Sequence, residues 1–333
     1  MPQGYDTIHT SPVSAEPLVA RLHGRVQNRV WRKSFSNPVV WQIITVGPHK
    51  LRMNHKRPNA LLFGRKDTVV DPQVHNALPR NCRVISIERR GESFWADTGR
   101  IQVALEDGTA QSFFIKAIQG DEGRSMVRSE YESTKAIHCL QQDFVPRLIA
   151  WGTLESVPDT HFLLCEYREM VNKMPEPSEF AARLVALHHS SRSPTGKFGF
   201  HLTTYNGNLP RATQWEDSWE RFFATSLKLA LELEQMAKGP DPAFEIVLPR
   251  LYEKVIPRLL SPIKSDRQNV KPCLVHGDLW YANSGVDRNT GNCLVFDACC
   301  FYAHHEYEFG QCMPDCIRKQ MLGDIKDLVL RYG

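Results

Sequence analysis

An α+β architecture in two lobes, a small β-sheet lobe followed by a mostly helical one, is what this 333-residue sequence predicts. Strand-forming runs with a tight turn signal crowd the stretch from about Cys82 to Met170. Apolar residues at helical spacing dominate from about Val171 onward. Within that second part, two short apolar runs, Cys273-Leu274-Val275 and Cys293-Leu294-Val295-Phe296, each end in polar residues, as strands that feed a site do.

The elements follow in order. Arg100 to Leu105 and Gln111 to Ile118 flank Asp107-Gly108, and Asp-Gly between β-favouring runs predicts a hairpin. A helix is predicted from about Ser125 to Gln141. His161-Phe162-Leu163-Leu164-Cys165 reads as a strand ending at Glu166 and Tyr167. Phe180, Leu184 and Leu187 predict a helix over 179–189. Trp215, Trp219, Phe222 and Phe223 fall on helical spacing in a helix that runs to about Met236; such an aromatic stripe is usually core. Ile317, Met321, Ile325, Leu328 and Val329 predict one more amphipathic helix near the end.

The net charge of +4 is unevenly spread: residues 1–80 hold twelve Lys/Arg against four Asp/Glu, and the rest holds 29 against 33. The basic surplus therefore belongs to an extension over residues 1–81, expected to be poorly ordered, and gives no argument for a nucleic-acid-binding domain. Within it Leu18, Leu22, Val26 and Val30, beside Arg21, Arg25, Arg29 and Arg32, have the look of a basic amphipathic helix such as a mitochondrial presequence. Asp6, Glu16, Pro12 and Pro17 interrupt that pattern. A cytoplasmic location is expected, with the mitochondrial one as the alternative. No apolar run approaches the roughly 18 residues of a membrane span. Nine cysteines, an odd number without a disulfide-scaffold spacing, fit free thiols in a reducing compartment. Cys299, Cys300, Cys312 and Cys316 with His304 and His305 match no common zinc module.

Chemistry concentrates at His276-Gly277-Asp278-Leu279-Trp280, with Asn283 five residues after Asp278 and Asp297 at the end of the second apolar run. Phosphoryl transfer asks for a carboxylate that orients and deprotonates a hydroxyl, and for oxygen ligands to Mg²⁺ on the nucleotide phosphates. An Asp-x-x-x-x-Asn loop and a nearby strand-end Asp supply those parts, and hard Mg²⁺ prefers few protein oxygens, completing its shell with water and phosphate. Asp278 is thus the candidate base, and Asn283 and Asp297 the candidate metal ligands. Lys116 interrupts the apolar run Phe113 to Ile118, so it either snorkels or points into a site.

His276 to Trp280, Asn283, and the run Phe296-Asp297-Ala298 through Tyr302-Ala303-His304-His305-Glu306 resemble the fructosamine kinase (ketosamine-3-kinase) family, in the aminoglycoside-phosphotransferase-like branch of the protein-kinase fold. Phe198-Gly199-Phe200, Asn206-Gly207 and Trp215-x-x-x-Trp219-x-x-Phe222-Phe223 are also similar to that family's pattern. The resemblance implies a nucleotide-binding lobe over 82–170 and a catalytic and substrate lobe over 171–333. It implies that Lys116 meets the phosphates of ATP, held by Glu130. Gly91 and Ser93 would offer backbone N–H groups to the phosphates, and Glu166 and Tyr167 would border the adenine. On the acceptor side it implies Trp280, His276, Trp215, His304 and Glu306. The implied reaction is Mg²⁺- and ATP-dependent phosphorylation of the 3-hydroxyl of a ketosamine, free or on a protein lysine. Its unstable product releases the amine, hence deglycation.

Departures are small near the site: Asp297-Ala298-Cys299 stands for Asp-Pro-Ala, Tyr302-Ala303-His304 for Tyr-Gly-His, and Glu308 for an Asp. Only 36 residues follow Asp297, where the family carries further helices. Two other readings follow from the same residues: a phosphotransferase for another hydroxyl compound, aminoglycoside- or choline-like, and an inactive kinase-like binding protein.

Overall fold

The computed structural model describes residues 69–310, apart from 92, 94, 172, 241, 243–247 and 261–270. The amphipathic patterns at 18–32 and 317–329 lie outside the described residues.

The sheet lobe is a five-stranded antiparallel sheet in the order β1-β2-β3-β5-β4, built from β1 (Arg83–Arg89), β2 (Asp97–Ala104), β3 (Ala110–Gln119), β4 (Leu148–Thr153) and β5 (Thr160–Glu166). The Asp-Gly signal at 107–108 makes the expected β2–β3 hairpin, with Gly108 at φ +81°. Alternation along β3 sorts its side chains to two faces. Phe113 and Ile115 join Ile101, Val103, Phe162 and Leu164 in one core. Ile118 faces the other way and packs with Met126 and Val127 of α2 (Gly120–Leu140). Lys116 shares the Ile118 face by the same period of two. Glu130, three and four residues beyond Val127 and Met126, shares their face of α2. Gly123 lets the helix start against the end of β3, because a Cβ there would lie 2.8 Å from Ile118 Cγ2.

The expected extension through residue 81 is corrected at its end. A short helix, α1 (Pro72–Ala77), precedes Cys82, and Val74 and Leu78 are buried in the sheet's first core. Asp71 caps that helix through Gln73 N (2.9 Å) and also accepts from Ser156 N (2.8 Å) and Ser156 Oγ in the β4–β5 turn. A chain beginning at Cys82 is therefore expected to melt at least several degrees below one beginning at Val69, since it loses two buried apolar side chains worth about 1.5–3 kcal/mol each. Equal melting curves would show that α1 is dispensable.

The second lobe buries one large core, in which Phe180, Leu184 and Leu187 of α3 (Pro177–Ser190) meet Trp219 and Phe222 of α4 (Trp219–Lys238) and Leu274, Val275, Leu279 and Val295. α4 starts at Trp219, later than the aromatic spacing suggests. Trp215 sits in the preceding loop, whose neighbour Glu216 bridges Phe198. A two-residue β-ribbon, β7 (Tyr205–Asn206) with β8 (Leu209–Pro210), projects ahead of it. Five short strands frame the polar stretch after His276: β9 (Cys273–Val275) pairs with β12 (Phe301–Ala303), and β10 (Ser284–Asp287) pairs with β11 (Cys293–Val295) and with β6 (Met170–Val171). Among the described residues no helix is long and apolar enough to cross a membrane.

Candidate active site

β9 delivers His276, Gly277 and Asp278; a 3₁₀ turn, Tyr281–Asn283, delivers Asn283; and β11 delivers Asp297. Two backbone bonds lock these pieces together, Phe296 N donating to Asn283 O (3.1 Å) and Cys299 N to His276 O (3.0 Å). Asp297 adopts φ +57°, the left-handed region that Asp tolerates better than most residues. Backbone strain of this kind gathers at sites where a side chain must be aimed.

Lys116 Nζ lies 2.7 Å from Glu130 Oε2 and 2.8 Å from Asp297 Oδ1, joining β3, α2 and the β11 end. Lys116 and Glu130 side chains are 14% exposed, whereas Asp297 keeps 51% because the space before it is open. Burial works against the Lys116 ammonium, but Asp297 and Glu130 outweigh it and hold its pKa above the lysine range. Burial pushes the Glu130 carboxyl up to about 7, opposed by Lys116 and reinforced by the charge of Asp297. Asp297 is held below the usual range: Lys116 overcomes the effect of crowding. Lys116 thus bridges two carboxyl groups, of which Asp297 is the one held ionised and open. Ser133, one turn beyond Glu130, is buried and accepts from Cys300 N (2.9 Å), fastening α2 to the segment that carries Asp297.

Asp278 is gripped from two sides. Asn283 Nδ2 donates to its Oδ2 (3.0 Å) and backbone O (2.9 Å), and Asn206 Nδ2 donates to its Oδ1 (2.9 Å). Burial pushes the Asp278 carboxyl up, opposed by the Arg211 guanidinium. Below it, Glu308 accepts from His276 N (2.6 Å) and Gly277 N (3.1 Å), and Arg211 Nη2 donates to Gly277 O (2.7 Å). Burial would raise the Glu308 carboxyl, yet His188 and those donors hold it below the glutamate range. Arg211 is itself held by Tyr307 OH (2.6 Å) and lies 5.4 Å from the centroid of the Phe301 ring.

Asn206, Arg211 and Glu308 were not among the expected site residues. Asn206-Gly207 and Glu308 were visible only as parts of a pattern. Arg211 carried no signal, because nothing local distinguishes it from a surface arginine.

Several expected roles change. His276 is fully buried, its Nδ1 accepting from Asp278 N (3.3 Å) and its Nε2 facing Phe296 O (3.0 Å), so it braces the turn and presents no surface to a ligand. The first bond makes Nδ1 the unprotonated nitrogen and Nε2–H the donor. His304 is also buried, stacked on His305 (centroids 4.6 Å) and beside Trp219, which removes it from the acceptor side. Glu166 N and Tyr167 N are spent within the protein, on Arg147 O (2.8 Å) and Ser112 O (3.1 Å), so these two amides offer no donor to an adenine. Gly91, at φ +82°, forms the β1–β2 turn, where Ser93 Oγ accepts from Trp95 N and Ala96 N (3.3 and 3.2 Å). Trp280 is half-buried and edge-to-face with Tyr281 (ring centroids 4.9 Å), Trp215 is half-buried with its ring centroid 6.1 Å from that of Tyr302, and Glu306 is exposed.

The family model for fructosamine kinase matches residues 89–315, more than half of the chain. A chloroplastic protein-ribulosamine 3-kinase of Oryza sativa subsp. japonica is 30% identical over 202 residues, covering 60% of this chain and 56% of the relative. A ketosamine-3-kinase of Mus musculus is 24% identical over 242 residues, 66% of this chain and 71% of the relative. The chain thus spans little more than half the length of the plant relatives it matches. Among solved structures, a candidate fructosamine-3-kinase from Thermobifida fusca YX-ER1 superposes with TM-score 0.57 at 22% identity, covering 74% of this chain and 80% of the other. That likeness is one of fold, and the sheet lobe with its helical partner is the kinase-like α+β arrangement expected. Since the matched segment takes in Lys116, Glu130, Asp278, Asn283 and Asp297 alike, the chain belongs to the fructosamine kinase family.

Proposed function

We propose that this chain transfers the γ-phosphoryl group of ATP to the 3-hydroxyl of a ketosamine, the sugar adduct of a lysine amine, free or on protein. The carrying observation is the convergence of Lys116, Glu130, Asp278, Asn283 and Asp297 from five separate segments, with Lys116 bonded at once to Glu130 and Asp297. In this reading Asp278 orients the acceptor hydroxyl and takes its proton as the new oxygen–phosphorus bond forms and ADP leaves. Lys116 moves its charge to the nucleotide phosphates while Glu130 keeps it aimed.

The donor set suits Mg²⁺. Asn283 commits its amide nitrogen to Asp278, which leaves its oxygen for a cation, and Asp297 adds a carboxylate with half its surface open. Among the described residues no group of three or more His, Cys, Asp or Glu could hold a metal, whereas Mg²⁺ needs only one or two protein oxygens when phosphates complete its shell. When bound, the ion would neutralise the phosphate charge that develops in transfer.

Asp297→Ala and Asn283→Ala should each shift the midpoint of a Mg²⁺ titration at fixed ATP, by roughly 10-fold or more. Unshifted midpoints in both would make these turn residues only. The substrate class is tested by ATP consumption with ribuloselysine, fructoselysine and an aminoglycoside in parallel. Preference for the aminoglycoside would overturn the ketosamine assignment, and no consumption with any of them would favour a kinase-like binding protein.

A further inference from the structure

The β7–β8 ribbon is fastened to the His276–Asp278 turn at two points, Asn206 Nδ2 on Asp278 Oδ1 (2.9 Å) and Arg211 Nη2 on Gly277 O (2.7 Å). The amide orientation of Asn206 is fixed by chemistry: an ionised carboxylate only accepts, so the nitrogen must face it. The other end of the amide, Asn206 Oδ1, is buried and has no hydrogen-bond partner among the described residues, and Asn208 Oδ1 and Arg211 Nε are in the same condition. Native structures rarely leave one buried polar atom unmatched, and here three fall within six residues beside the candidate base. A ribbon of two-residue strands has little of its own to hold it, so its seating is set by these contacts.

We propose that Asn206 is a positioning and specificity-determining residue for the acceptor. Its amide N–H holds one oxygen of Asp278, and its carbonyl takes a hydroxyl or secondary-ammonium donor of the acceptor when the ribbon re-seats around it. The assignment rests on Asp278 being the base. A ketosamine brings the right chemistry: the 4-hydroxyl lies beside its 3-hydroxyl, and the amine that joins sugar to lysine is a donor within a few bonds. A substrate with a single hydroxyl and no second donor would leave the Asn206 carbonyl unmatched. Buried polar groups left in that state are the strongest source of discrimination that a site has.

The test is steady-state kinetics of wild type, Asn206→Ala and Asn206→Asp with ribuloselysine and ATP, each varied in turn, beside melting curves. Asn206→Ala removes both contacts and should raise the acceptor KM by about 10-fold or more while leaving the ATP KM within about two-fold. Asn206→Asp is isosteric and keeps an accepting oxygen but cannot donate when ionised. It should lower kcat with a much smaller change in the acceptor KM. A structural role alone would depress the melting point and move both KM values together, and that result overturns the assignment. So would wild-type kinetics in both variants. Absence of transfer by the wild-type protein overturns the reading of Asp278, and this assignment with it, whereas normal wild-type transfer with unaffected variants sinks the assignment of Asn206 alone.

Discussion

Asp278→Asn is expected to lower phosphoryl transfer by roughly 10²-fold or more while ATP binding changes little, because it removes only the group that takes the hydroxyl proton. The substitution would be uninformative if it disrupted the loop, so the surrounding donors decide its value. Both carboxylate oxygens accept from amide nitrogens, Asn206 on Oδ1 and Asn283 on Oδ2. An asparagine at 278 can present its oxygen to one of them but must point its nitrogen at the other. Asn283 is fixed, since the same nitrogen also donates to Asp278 O. Asn206 has a spare, unpartnered oxygen, and turning its amide over converts a donor–donor conflict into a hydrogen bond. The variant should therefore melt close to wild type. The measurement pairs kcat with an ATP titration and a melting curve. Turnover within a few-fold of wild type at unchanged ATP affinity would remove Asp278 from the role of base.

Much of this site was legible before any fold was known, for reasons that differ by residue. Lys116 and Glu130 were legible through the family resemblance, and two periods explain in hindsight why they meet: two along β3 and about 3.6 along α2 place them on facing surfaces once Ile118 meets Met126 and Val127. Asp278, Asn283 and Asp297 were visible as a spaced set because the end of β9, the 3₁₀ turn after it and the end of β11 deliver them. The supports were not visible. Asn206 reaches Asp278 across 72 positions and Arg211 reaches Gly277 across 66, and no local pattern encodes contacts at that range.

His276 shows a different limit. Its place beside Asp278 marked it as part of the site, but only burial reveals that it serves the turn and not the ligand. The start of the sheet lobe was readable in principle. Asp71-Pro72 is a capping residue followed by proline at the first helical position, a helix-start signal set at the end of a stretch with a basic surplus.

The backbone of the His276–Asp278 turn should prove less tolerant than any side chain in it. Gly277 has φ +84°, and a Cβ placed there would meet Cys299 O, with Cys299 C at 3.1 Å and Sγ at 3.2 Å. Neither neighbour can give way cheaply. The Cys299 backbone is pinned by its N–H to His276 O (3.0 Å), and its side chain is fully buried. Gly277→Ala combines the left-handed penalty of about 1–2 kcal/mol with overpacking of about 1–3 kcal/mol. A fall in melting temperature of about 5–15 °C should follow. Gly291→Ala isolates the first term, because Gly291 has φ +73° with nothing within 4 Å of its Cβ position. The difference between the two variants is the cost of close approach. The same displacement carries Asp278, one residue on, away from Asn206 and Asn283, so Gly277→Ala should lose turnover even at temperatures where it is folded, and Gly291→Ala should not. If the two variants melt together and both keep full turnover, the turn has slack that the packing of Cys299 against Gly277 denies.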